Sequence, residues 1–220
     1  MNWTTAILDI DGTLIESNDA HARAWVDTAG EFGYEVAFEQ VRPLIGMGGS
    51  EVLQALTGLR DSEPDGRQIK NRSGEIFRER YLPGLDPAPG ARALLQRFEA
   101  DGIRRIVATS ASPDHVAALL AQARVDDLVE DATSSGDVEE SKPAPDIVEA
   151  ALEQAGCAPR QALMIGDTPY DIDAASKAAV AIIVVRCGGW WTDEDLGGAD
   201  AIFDDPADVL EHYRQLAFFK

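Results

Sequence analysis

Asp9 and Asp11 stand two residues apart where the apolar run Ala6-Ile7-Leu8-Asp9-Ile10 gives way to Asp11-Gly12-Thr13. At the end of an extended segment, carboxylates at this spacing project to one side. Two such groups repel unless one binds a proton or both share a cation. Mg²⁺, a hard ion that takes oxygen ligands, resolves the repulsion. Three further segments carry related chemistry. Ala108-Thr109-Ser110-Ala111-Ser112 offers hydroxyls, Ser141-Lys142-Pro143 an ammonium, and Gly166-Asp167-Thr168-Pro169-Tyr170-Asp171 two more carboxylates. Carboxylates, a hydroxyl and one cation suit phosphoryl transfer through a metal. Each segment also has a plainer reading. Asp11-Gly12 is a common turn, Ser112 suits a helix N-cap ahead of Pro113, and Asp167 suits another. Lys142, close to Glu139 and Glu140, reads equally as a solvated side chain. Thr109 is the alternative to Ser110, one residue away.

These segments work together only if the fold gathers them. Residues 6–10, 105–109, 162–165, 180–185 and 201–203 read as strands, and Leu128-Val129 as a short strand or turn. Helices are expected over 90–100, 113–123, 143–155, 169–178 and 206–217, with Pro143 in a first turn. Strands alternating with helices predict an α/β fold, a doubly wound, Rossmann-like parallel sheet covered on both faces. The carboxyl ends of such strands line one edge, where ligands bind. Each of the four segments ends a predicted strand or opens the element after it.

Between about 16 and 85 the alternation stops. Helices are expected over 18–32, 38–43, 50–57 and 66–81, with no strand between them. This stretch reads as an inserted helical cap. Gly46-Met47-Gly48-Gly49 lacks the third glycine of a dinucleotide fingerprint and follows no core strand, so it reads as a hinged lid. His21, Arg23 and Trp25 lie on the first cap helix. Trp190 and Trp191, after Gly188-Gly189, either meet the cap or cover the core.

The chain has 220 residues and a formal net charge of −20, with an isoelectric point near 4.3. Such a surface repels nucleic acid and anionic membranes. A phosphate substrate therefore needs local positive charge from a metal and Lys142. Cys157 and Cys187 form neither a disulfide framework nor a zinc motif, which fits a reducing cytoplasm. The start, Met1-Asn2-Trp3-Thr4-Thr5, does not read as a signal peptide. No apolar run reaches the roughly 20 residues of a membrane helix.

The four segments, in this order, resemble the motifs of the haloacid dehalogenase superfamily, in the helical-cap branch that includes phosphoglycolate phosphatases and β-phosphoglucomutases. The resemblance implies a core of residues 1–15 and 86–220 and a cap of residues 16–85. It implies that Asp9 attacks phosphorus to form an aspartyl-phosphate. Asp11 then protonates the leaving alcohol and activates the hydrolytic water. Mg²⁺ is expected on Asp9, Asp167 and the backbone carbonyl of Asp11, with Asp171 behind, holding ligand waters or Lys142. Gly12, Thr13, Ser110, Ala111 and Lys142 are the expected phosphate-binding set. His21, Gly48 and Gly49 are expected cap contacts to substrate.

Within the superfamily, dehalogenases lack an acid at the Asp11 position. Phosphonatases use a cap lysine, and the only cap lysine here, Lys70, reads as solvated. The expectation is therefore a phosphatase acting on a small phosphorylated metabolite. The alternatives are a sugar-phosphate mutase, which needs a cap arginine for a second phosphate, and a non-catalytic phospho-ligand binder. The sequence leaves monomer and homodimer open.

Overall fold

The computed structural model describes residues 3–218. Residues 1, 2, 219 and 220, the extremes of the expected core, lie outside the described residues. In chain order the first elements are β1 (Thr5–Leu8), α1 (Asn18–Glu31), α2 (Phe38–Val41), α3 (Gly49–Thr57) and α4 (Pro64–Ile76). Then come α5 (Ala91–Ala100), β2 (Arg104–Ala108), α6 (Pro113–Gln122), β3 (Asp131–Thr133) and α7 (Asp146–Ala155). The chain closes with β4 (Ala162–Gly166), α8 (Pro169–Lys177), β5 (Ala181–Val185), β6 (Ala201–Phe203) and α9 (Pro206–Glu211).

The six strands form one parallel sheet in the order β3-β2-β1-β4-β5-β6. The chain leaves β1 toward β2 on one side and returns to β4 on the other. The switch point therefore falls at the carboxyl end of β1, where an open sheet leaves a crevice. Successive strand residues point to opposite faces. Leu8, Val107, Ile165 and Ile183 join one buried cluster, and Ile7, Ile106, Met164 and Ile182 the other. Helices cover both faces, so beyond Thr5 and Arg104-Arg105 at their starts the central strands run apolar rather than alternating with polar residues.

Four expected elements are drawn differently. The strand after α6 is Asp131–Thr133, with Leu128 in the turn before it. An edge strand of Asp-Ala-Thr carries little apolar signal, and pairing with β2 makes it. The helix expected from 143 starts at Asp146. Pro143 and Pro145 have no N–H, and each pushes the residue before it out of the helical region. The helix expected over 66–81 runs over Pro64–Ile76 and continues as a π-helical turn over Phe77–Tyr81. The last helix stops at Glu211, followed by a 3₁₀ turn over Tyr213–Phe218.

Helices α1 to α4 enclose a third buried cluster, built on Trp25, Val41, Ile45, Val52, Leu53 and Ile69. They lie over the carboxyl edge of the sheet. Ser110 Oγ donates to the carbonyl of Gly46 at 3.2 Å, and Tyr170 Oη to that of Pro43 at 2.7 Å. Trp190 meets the edge of Phe38 in α2, while Trp191 meets Tyr170 of α8. The tandem tryptophans thus divide between the two parts. Among the described residues, no helix is long and apolar enough to cross a membrane.

Candidate active site

Asp9 follows β1 directly. Its amide still donates to Ile165 of β4 at 2.9 Å, so the side chain emerges at the edge of the sheet. The chain then turns sharply: Thr13 and Leu14 both donate back to the carbonyl of Ile10, and Gly12 adopts φ +77°. A Cβ at Gly12 would lie 2.2 Å from Asp167 Oδ2 and from Asn18 Nδ2. Glycine here therefore serves both the left-handed backbone and the close approach of Asp167.

Lys142 is fully buried, with Nζ 2.7 Å from Asp9 Oδ1 and 2.7 Å from Asp171 Oδ1. The first contact is a directed hydrogen bond; the second is an ion pair without that alignment. The other oxygen of Asp171 accepts from Thr168 Oγ1 and from the amides of Asp167 and Thr168, locking the start of α8. Asp167 accepts from Asn18 Nδ2 at 2.7 Å on Oδ2 and from Thr13 Oγ1 at 3.3 Å on Oδ1.

Asp9, Asp167 and Asp171 each offer a carboxylate oxygen within 4.8 Å of the others, and all three are buried. Three carboxylates thus face one ammonium. Burial, with Asp171 and Asp11 nearby, pushes Asp9 up to about 7 against the pull of Lys142. Asp167 is raised well above the carboxylate range by burial and by its neighbours Asp171 and Asp9. Burial disfavours the Lys142 ammonium, but Asp171 and Asp9 outweigh it and hold the charge. A buried excess of negative charge with hard oxygen donors fits a divalent cation.

Asp11 has a different environment. Its carboxylate is not one of this trio: Oδ1 accepts from Ser17 Oγ at 2.5 Å and lies 2.9 Å from His21 Nε2. Burial opposes the charge, but His21 and Ser17 hold Asp11 below its usual value. His21 is itself stacked on Phe77, with centroids 3.7 Å apart.

A cavity of about 530 Å³ opens over these groups, bounded by Asp9, Asp11 and Thr109–Ser112 below and by Trp25, Met47 and Phe77 above. Ser110 and Ala111 line it, whereas Thr109 Oγ1 is occupied by the amide of Ala111 at 3.1 Å. Ser112 takes the N-cap position of α6, but its side chain makes no capping bond. Gly49 lines the cavity, as do Gly46 and Met47. Gly48 does not: it faces Ser141, whose Oγ a Cβ there would meet at 2.7 Å. Lys70 departs from the solvated reading. It lies in the cavity wall, half-buried, and donates to Asp61 Oδ2 and Ser50 Oγ at 3.0 and 2.8 Å. Arg42 is fully buried, against Asp19 and the carbonyl of Gly188. Ser17 and Asn18 read in the sequence as a helix start; their contacts to Asp11 and Asp167 are visible only in the fold.

Residues 6–185 match the haloacid dehalogenase-like hydrolase family. The chain belongs to this family. It is 32% identical over 214 residues to the phosphoglycolate phosphatase of Rhodospirillum rubrum, covering 92% of this chain and 88% of that one. A hydrolase from Pseudomonas syringae has the same fold, with a TM-score of 0.88 at 26% identity, covering 96% and 98% of the two chains. CbbY from Rhodobacter sphaeroides, solved in complex with phosphate, superposes with a TM-score of 0.80 at 28% identity, covering 94% and 96%. The chain also matches SUPPRESSOR OF QUENCHING 1, chloroplastic, of Arabidopsis thaliana at 31% identity over 189 residues, but spans only 18% of its length.

Proposed function

We propose that this hydrolase is a Mg²⁺-dependent phosphatase that hydrolyses a small phosphate monoester through a phosphorylated Asp9. The observation that carries the reading is the buried trio Asp9, Asp167 and Asp171 against Lys142, with Asp9 in the wall of a cavity of about 530 Å³. One oxygen of Asp9 is held by Lys142, which fixes the carboxylate for attack by the other on phosphorus. The P–O bond to the alcohol breaks as the Asp9–phosphorus bond forms. Asp11, anchored through Oδ1 by Ser17 and His21, lines the cavity and takes up a proton as the negative charge of the phosphate arrives beside it; it gives that proton to the alcohol and then takes one from water. Water attacks phosphorus, releases phosphate and restores Asp9. Lys142 offsets charge on the phosphoryl oxygens, and Ser110 with the backbone around Ala111 and Gly12–Thr13 binds them. Asp9, Asp167 and the carbonyl of Asp11 would hold Mg²⁺, with Asp171 behind through Lys142. When bound, the ion supplies charge neutralisation and aligns the phosphoryl group with Asp9.

Residues 16–85 act as a cap over a core of residues 1–15 and 86–220, and His21 and Gly49 face the substrate. Hydrolysis is favoured over mutation because Arg42 is buried away from the cavity and Lys70 is paired with Asp61. Arg78, exposed on the cavity wall, is the arginine the mutase reading would need to grip a second phosphate. The two free cysteines, Cys157 and Cys187, suit the cytoplasm. Turnover of p-nitrophenyl phosphate and a panel of small phosphate monoesters, with and without Mg²⁺, tests the reading. Mg²⁺-dependent phosphate release is expected; none from any ester would overturn it.

A further inference from the structure

Asn18 opens α1 and belongs to a residue type that caps helices, yet it does not cap this one. The N-cap is Ser17, and no side chain closes the helix start. Asn18 is 3% exposed and spends its amide elsewhere, donating to Asp167 Oδ2 at 2.7 Å and reaching the Gly188 carbonyl at 3.4 Å. The same carbonyl accepts from the guanidinium of Arg42. Arg42 is held by Asp19 at 2.7 Å, and its guanidinium lies 5.8 Å over the ring of Trp190. Gly188 also presses on Asp167: a Cβ there would lie 1.9 Å from Asp167 Oδ2. Asp167 is thus fixed by one amide, one hydroxyl and the close backbones of Gly12 and Gly188, and the contacts through Asn18 and Gly188 lead into the helical segment.

We infer that Asn18 is a positioning residue for Asp167, and that Arg42 supports it by holding Gly188, whose carbonyl meets Asn18 and whose backbone lies close to Asp167. This rests on the divalent-cation reading of the site. The donors that touch Asp167 are neutral. An Asn amide sets the plane of the carboxylate without cancelling its charge, which stays available to a cation. Lysine or arginine at position 18 would orient Asp167 equally well but compete with the ion. Because Asn18 and Arg42 lie on the helical segment, the seating of that segment sets how tightly the sheet edge binds a divalent ion. Outer contacts of this kind are typically worth about 10- to 100-fold in metal affinity.

Mn²⁺ binding to the full chain, followed by electron paramagnetic resonance, tests this without turnover. Asn18→Ala is expected to weaken Mn²⁺ binding by about 10- to 100-fold. Thr28→Ala in the same helix, which loses a bond to Ala24 but touches nothing at the site, is expected to bind as wild type. At saturating Mg²⁺ the kcat of Asn18→Ala returns to within a few-fold of wild type. Asn18→Ala and Arg42→Met act on one contact chain, so the double variant weakens Mn²⁺ binding by less than the product of the single effects. Wild-type affinity in Asn18→Ala overturns the inference, as does normal affinity with a kcat that saturating metal fails to restore. If Asn18→Ala does not fold, Asn18→Ser takes its place under the same criteria. A wild-type chain that binds no Mn²⁺ would instead refute the metal reading beneath it.

Discussion

At the carboxyl edge of the sheet, Asp9, Asp167, Asp171 and Lys142 are buried together. In the helical segment above, the interior is Val52, Leu53 and Ile69, and apart from the buried Arg42, held by Asp19 and the Gly188 carbonyl, its charged pairs lie toward the surface. There Arg72 pairs with Glu31 and Glu75, and Lys70 with Asp61. Those surface pairs are satisfied within the helical segment, which contributes shape. The sheet edge is not satisfied in this way: three carboxylates share one ammonium, and two of them sit far above their usual pKa. A site kept short of positive charge is ready to take a cation and the phosphoryl group that comes with it, at some cost to stability.

Four substitutions break or sharpen this contrast. The largest effect is expected from Asp9→Asn, which removes the proposed nucleophile. Turnover of p-nitrophenyl phosphate should fall about 10⁴-fold or more, while circular dichroism and cooperative melting are retained. Wild-type rates would transfer the nucleophilic role away from Asp9.

Lys142→Met strands Asp9 and Asp171 without a counter-charge. Breaking a buried pair on one side costs about 3–5 kcal/mol, measurable by urea denaturation of the metal-free protein. Adding Asp171→Asn should restore part of the loss. No restoration would mean that Lys142 matters there for packing rather than charge.

Leu53→Ala tests the helical side. Leu53 is completely buried, and truncation of such a leucine costs about 2–5 kcal/mol. If the third cluster is self-contained, hydrogen exchange should speed up in α3 and α4 and leave β1 and β4 protected. Equal loss of protection in the sheet would erase the contrast.

The smallest effect is expected from Asp167→Asn in the absence of metal. A carboxyl raised in the fold contributes fully below its unfolded value, near 4, and its contribution is lost as pH rises toward the folded value. Asparagine removes that loss while leaving the Asn18 amide an acceptor. The metal-free variant should therefore melt above wild type at pH 7, by about 2–4 °C for each kcal/mol recovered. The difference should close toward pH 4. A variant that melts lower at pH 7 would show that the charge on Asp167 is already compensated.

The sequence by itself determined the alternating sheet, the helical interruption and the four segments that end at one edge. These are written in local terms: apolar runs of strand length, a glycine at a turn, prolines near helix starts, and acids placed just after strands. Asp9 and Asp167 were legible because each directly follows an apolar strand and so reaches the carboxyl edge of a parallel sheet; Lys142, in the loop after β3, and Asp171, in the first turn of α8, were legible from the motifs that resemble the family's. Other features were decided only by the tertiary structure. Asp131–Thr133 becomes a strand because β2 offers it a partner. Ser17 and Asn18 have the composition of a helix start, and nothing local reveals that they hold Asp11 and Asp167. Lys70 reads as a solvated lysine until Asp61 and Ser50 draw it into the cavity wall. Gly48 turns to Ser141 while Gly49 faces the cavity, a choice made by the path of the helical segment over the sheet. Asn18 and Asp167 are separated by 149 positions in the chain. Local pattern cannot encode a contact across that distance; it arises when two separately ordered elements dock and a buried carboxylate finds its nearest donor.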